Sequence, residues 1–370
     1  MTRYIVVIFI CLLFFSSCNR EEAKTKQEII SINIDKLENK TKKEAKLSDF
    51  VTNSKIVNLE TNDQCYIGRI NDIQVINDTI YILDRHIAKT LFLFSINGNF
   101  LNKISRIGKG PGEFMEPEAF DVDPLKHEIM LYDNTFNKIN IYSKSGKYLR
   151  NIKLKKRIND FTYCDGYYYL YAYPFNAIEN KIIHKLNPSG SIIWSALDSK
   201  DLIKRKYAVG LTGGNFYRLN NEIIFWRDIH TKIYSIKNEV ISPKFILHTE
   251  KHKITEDKAK NSFNELHFKT NMLHNIREYS ENSRYSLFNF YLGTKQIYVI
   301  YDKFNNNIHS TEILKDDLNN LYPIYFRILD DNRMLGVVLS SMIRSYEEES
   351  KGNNMDGYKN PSIVLYNFHK

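Results

Sequence analysis

A turn that recurs at nearly fixed spacing constrains this chain more than any other feature. FSINGNF (94–100), YSKSGKY (142–148), LNPSGSI (186–192) and YSIKNEV (234–240) each place a turn-forming residue between two strand-like runs. With Gly98, Gly146, Gly190 and Asn238 as anchors, the spacings are 48, 44 and 48 residues. A fifth copy, YDKFNNNI (301–308), follows after 67 residues, the excess being an inserted segment around 251–270. Self-similarity at this period marks stacked supersecondary units, none of which can bury its apolar surface alone.

The unit is clearest between Arg106 and Asn151. A glycine-rich turn (Gly108, Gly110, Gly112) precedes apolar runs at 118–122, 129–132, 139–142 and 148–154, punctuated by Asp133, Asn134, Ser145 and Gly146. Asn, Asp and Gly tolerate the backbone of tight turns, so the unit is predicted to be a four-stranded antiparallel meander. Five such sheets fit the chain, with a sixth at 322–328, 334–339 and 362–368 that lacks its outer strand. The lone run KIVNL (55–59), ahead of the first copy, supplies that strand if it lies on the edge of the last sheet. Closing a ring this way protects the blade edges. The expected fold is all-β: a six-bladed β-propeller of four-stranded antiparallel blades, closed by an N-terminal strand, with one short inserted helix. Thr255 would cap that helix, Glu256 and Asp257 suit its positive end, and Ala259, Phe263 and Leu266 form its apolar stripe.

GKGPGEF (108–114), Pro117, a strand ending in Tyr132 and Asp133, then Asn137, Ile139 and Gly146 resemble an NHL-type repeat. The whole chain resembles the six-bladed propeller lipoproteins of Gram-negative envelopes. Such a resemblance implies a fold more firmly than an activity. At the N-terminus, Arg3, an apolar run from Tyr4 to Phe15 and then Ser16, Ser17 and Cys18 have the layout of a secretory signal, too short to span a bilayer. Small residues before a cysteine resemble a lipobox, which would make Cys18 the lipidated first residue. The expected organisation is a signal peptide over 1–17, a lipid-anchored tether over 18–49 and the propeller over 50–370, at the outer membrane on its periplasmic or surface side.

The chain carries 52 Lys and Arg against 43 Asp and Glu. The basic run from Lys144 to Arg157 alternates with Tyr148, Ile152 and Leu154, which reads as the wet face of an edge strand. A membrane partner through the anchor and a glycan or envelope protein are expected, and an exported chain has no nucleic acid to meet. Cys65 and Cys164 fall in different blades and read as separate buried thiols. No CxxC or HExxH spacing is present, so no cofactor or metal is expected, with calcium in the channel only under the enzymatic alternative below.

The GKGPG stretch has no Lys followed by Ser or Thr at the spacing of a phosphate cradle, and strand pattern rather than a helix follows it. It reads as a blade-to-blade turn in which Glu113 accepts backbone hydrogen bonds and Phe114 packs between blades. Loops between blades and between second and third strands emerge on one face, which carries 105–117, 198–213, 251–270 and 340–361. Long insertions on one face of a scaffold are where binding is usually built. Arg85, His86, Arg106, Lys109, Arg227 and His230 would offer donors there, while Arg277 and Arg327 would line the central channel, paired with Glu118, Asp160 or Glu278. The expected function is a lipid-anchored, non-catalytic propeller that binds a glycan, peptide or partner protein. The alternative, which the resemblance brings in, is a metal-dependent lactonase- or lyase-like propeller.

Overall fold

The computed structural model describes residues 29–200, 214–227, 231–254, 270–339 and 359–369. The signal sequence, Cys18, His230, the helix expected after Thr255 and most of the 340–361 loop lie outside the described residues.

Six sheets form six blades. Blade 1 runs Asp72–Ile76, Thr79–Asp84, Thr90–Ser95 and Phe100–Ile104, and blade 2 runs Pro117–Val122, Ile129–Asp133, Lys138–Tyr142 and Tyr148–Lys153. Blade 3 runs Asp160–Cys164, Tyr167–Tyr171, Lys181–Leu186 and Ile192–Asp198. Blade 4 begins with Phe216–Leu219, Glu222–Phe225, Lys232–Lys237 and Val240–His248; blade 5 with Leu273–Glu281, Tyr285–Leu292, Lys295–Asp302 and Asn307–Lys315. Blade 6 takes Tyr325–Ile328, Arg333–Val338 and Ser362–Phe368 from the C-terminal end and Val51–Asn58 from the N-terminal end. Ring closure therefore falls where the KIVNL run predicts it. Val364 stands opposite Ile56, and the Ser362 hydroxyl donates to Asn58 Oδ1 at 2.7 Å.

Residues 30–49, expected as part of a polar tether, instead lie along the rim. Ile30–Asn33 pairs in parallel with the outer strand of blade 4, and Lys42–Lys46 pairs in parallel with that of blade 5. Between them a short helix, Ile34–Glu38, is capped by the Asn33 side chain, which accepts from the Lys36 amide at 2.9 Å. Two blades thus have five strands and mixed pairing. The cause is local: Ile32, Ile34 and Leu37 are buried in the apolar cluster between blades 4 and 5, a contribution that the surrounding charged residues hide in a composition count.

The core is divided among the blade interfaces. Among the described residues six apolar clusters occur, each bridging two consecutive blades, the last joining blade 6 (Leu335, Val337, Ile363) to blade 1 (Ile73, Ile80, Ile82). The anchors of the repeated turn have positive φ, +90° at Gly98, +76° at Gly146, +86° at Gly190 and +50° at Asn238. In the blade 1 to blade 2 turn, Glu113 Oε2 accepts from the Gly110 amide at 2.7 Å and Phe114 is fully buried between the blades, as the sequence suggests. Cys65 and Cys164 are free and buried.

Candidate functional site

Each blade sets its first strand nearest the axis. In blade 1, Ile73 and Val75 pack toward blade 6, and strand alternation leaves Asp72 and Gln74 on the other side, at the channel. Blade 3 repeats this, with Phe161 and Tyr163 in the apolar interface and Asp160 and Thr162 at the channel. Asp121 of blade 2, Arg218 of blade 4, and Arg327 and Arg333 of blade 6 add to the charged lining of a cavity of about 320 Å³.

These groups are held in place. Asp121 Oδ2 accepts from the Thr162 hydroxyl and the Tyr163 amide, both at 2.7 Å, and lies 3.5 Å from Arg218. Arg218 also donates to the Tyr163 carbonyl and, at 3.1 Å, to that of Val122. Arg327 donates to the Ile73 carbonyl at 3.2 Å, lies 3.9 Å from Asp72 and packs over the Tyr217 ring at 5.6 Å. Asp160 accepts from the Asn215 amide. Burial pushes the Asp160 carboxyl up to about 7, and the nearby charges of Asp72 and Asp121 push the same way. Burial also raises Asp72, against the pull of Arg327.

The expected donors do not converge. Arg85 is committed to Glu118, at 2.5 Å to its carboxylate and 3.2 Å to its carbonyl. His86, Arg106 and Lys109 are exposed on the blade-to-blade face. Arg227 is buried, and its Nε and Nη1 have no hydrogen-bond partner among the described residues. The channel cavity opens on the opposite face, among turns that join first and second strands, at Asn77, Pro124 and Leu329. Of the arginines assigned to the channel, Arg327 lines it, whereas Arg277 lines, with Glu278, a second cavity that shares Asp72 with the channel cavity. Of their expected carboxylate partners only Asp160 lines the channel cavity, and Arg327 is paired with Asp72 instead.

Asp72, Asp121 and Arg218 escape the sequence reading. One signal pointed to Asp72: the tetrapeptide Arg-Ile-Asn-Asp occurs at 69–72 and again at 157–160, each time leading into a first strand. Among the described residues, no three His, Cys, Asp or Glu side chains are grouped so as to hold a metal ion. The enzymatic alternative therefore has no such donor set within them.

Fold and channel define a closed six-bladed β-propeller scaffold with a cluster of charged groups at its axis. More particularly, the chain belongs to the DUF4934 family, a domain of unknown function whose match covers residues 29–367. Among solved structures it is similar to a protein from Bacteroides fragilis NCTC 9343 described as exported, with TM-score 0.75 and 17% identity over 93% of this chain and 100% of that one. It is also similar to a DUF4221 family member from Bacteroides vulgatus, with TM-score 0.53 and 9% identity over 86% and 97% of the two chains. At these identities the likeness is one of fold. A comparison with curated proteins gives no match.

Proposed function

We propose that the protein is an exported, lipid-anchored envelope propeller that acts as a binding module, taking a glycan, peptide or partner protein without transforming it. One observation carries this reading. The axial charges come from five different blades, yet each is tied by the protein's own hydrogen bonds or ion pairs, as Asp121 is by Thr162, Tyr163 and Arg218. Groups fixed in this way recognise a ligand at small entropic cost. The NHL-like turn at 108–114 and the signal-like start with Cys18 support the lipoprotein assignment. The fold likeness to a protein described as exported points the same way.

Two measurements test it. Cys18→Ser should abolish incorporation of labelled palmitate and move the protein from the membrane to the soluble fraction; an unchanged membrane fraction would remove the anchor from the reading. Wild-type protein screened on glycan and peptide arrays and against solubilised envelope proteins should retain a partner, and steady turnover of that partner would overturn the non-catalytic assignment.

A further inference from the structure

The first strand of blade 5, Leu273–Glu281, is more irregular than the other first strands, of which that of blade 2 has a single register shift. Its register against Tyr285–Leu292 shifts twice, between His274 and Arg277 and between Arg277 and Ser280. Asn275 (φ 51°) and Glu278 (φ 59°) stand in the left-handed region. Such a conformation is disfavoured for most residues with a side chain, and bulges characteristically re-aim side chains. Neighbours in a regular strand face opposite sides. Here Arg277 and Glu278 line the same cavity of about 350 Å³, set between blades 5, 6 and 1.

This cavity opens on the face where the blade-to-blade loops emerge, away from the mouth of the channel, beside Gly68, Arg69 and Pro361. Glu278 is steadied by Asn289 Nδ2 at 2.8 Å and lies 3.8 Å from Arg277. The Tyr291 hydroxyl meets Gln296 Oε1 at 3.3 Å. Ile73, Val337 and Leu339 give the walls an apolar part, and Tyr325 adds a second phenol. At the rim, Arg69 is exposed, and its guanidinium is in no ion pair among the described residues.

We propose that this cavity binds one or two rings of an acidic saccharide, a glycan unit bearing a carboxylate. The proposal rests on the binding-module reading and names the site and ligand class within it. A sugar ring presents C–H faces to tyrosines and aliphatic walls, and a hydroxyl edge to a carboxylate and an amide that can each engage neighbouring hydroxyls. Its carboxylate would answer Arg69. A bare phosphate would meet Glu278 and Asp72, and an apolar ligand would strand buried charges without partners. The volume stands at the lower end for small-molecule sites, which suits one or two rings.

The test uses the mature chain carrying Cys18→Ser, on an array of uronate- and sialate-bearing glycans with their neutral counterparts and a set of acidic peptides. Titration calorimetry on the best glycan then compares Arg69→Met, Glu278→Gln, the channel variant Asp160→Asn and a control on the outer rim of blade 2, Lys147→Met. We expect an acidic glycan to bind, its neutral counterpart to bind at least tenfold more weakly, and Arg69→Met and Glu278→Gln each to weaken binding about tenfold, with Asp160→Asn weakening it less than either and Lys147→Met unchanged. Binding of a peptide instead, lost in Glu278→Gln, would overturn the saccharide assignment while leaving the binding module intact. Glycan binding lost only in Asp160→Asn would move the site to the channel and overturn the proposal. Retention of no glycan, peptide or envelope protein by the wild type would overturn the proposal and the binding-module reading together.

Discussion

Asp160 is buried beside two other carboxylates, and the Asn215 amide and its own strand neighbour favour its charged form without offsetting that burial. Its pKa therefore stands near 7 in the folded chain, against 3.8 ordinarily. Between pH 4 and 7 the folded state holds a proton that the unfolded state has lost, so this group's contribution to stability falls as pH rises and is fully lost above 7. Asp160→Asn keeps an acceptor for the Asn215 amide and removes the ionisation. Relative to wild type, the variant should gain roughly 2–4 kcal/mol in unfolding free energy between pH 4 and pH 8; parallel pH profiles in urea titrations would disprove the account. The same scale separates two glycines of similar φ. At Gly98 (φ +90°) an added Cβ would collide with the Asn58 carbonyl of the closing strand, whereas at Gly166 (φ +86°) it would meet nothing within 4 Å. Gly166→Ala should cost about 1 kcal/mol, the backbone term alone. Gly98→Ala should cost at least about 2 kcal/mol more, because the closing strand must move. Equal losses in melting experiments would show that the closing strand is loosely held there.

Elements were legible in the sequence to very different degrees. The second blade could be read strand by strand, since its turns carry residues suited to them, and the closing strand because KIVNL had no other sheet to join. Rim strands were hidden for a physical reason: a parallel edge strand needs only a short backbone ladder and a few apolar contacts, which Ile32, Ile34 and Leu37 supply amid charged neighbours. The channel was hidden because an aspartate opening a strand, as Asp72 and Asp160 do, looks like one ending a turn. The bulged strand of blade 5 could not be read at all, since its register depends on its partner. These elements should differ in consequence. Removing residues up to 50 strips the rim strands yet leaves the six-sheet ring, so the protein should stay folded with a lower melting temperature and a tendency to pair through the exposed edges of blades 4 and 5. Removing residues up to 60 also opens blade 6, and cooperative unfolding should disappear. Calorimetry with size-exclusion chromatography distinguishes these outcomes, and two truncations that melt alike would refute the closure assignment.

For the whole molecule, the division of the core into six interfaces means that no blade is stable without both neighbours. The period of the repeat carried that much, along with the all-β class and the ring. It did not carry the binding surface, because the residues that converge at the axis come from 72, 121, 160, 218 and 327, each unremarkable in its own stretch. Ring closure also sets the order of events in time. Asn58 and Ser362 hydrogen-bond across 304 residues of chain, so the closing strand, made near the start, can be placed only after the last strand has appeared. Bringing ends so far apart together costs roughly 5 kcal/mol of chain entropy, and that cost falls before any contact across the seam is gained. A circular permutant that moves residues 29–58 behind Phe368, on a linker long enough to reach the edge of blade 4, should therefore refold about tenfold faster, with little change in its unfolding rate; equal refolding rates would place the slow step elsewhere. Until the seam closes, Val57 and Ile363 are uncovered at opposite ends of the chain, and a second copy caught at the same moment can supply the missing partner. The contact that completes the ring is thus also the one through which two unfinished molecules would exchange strands.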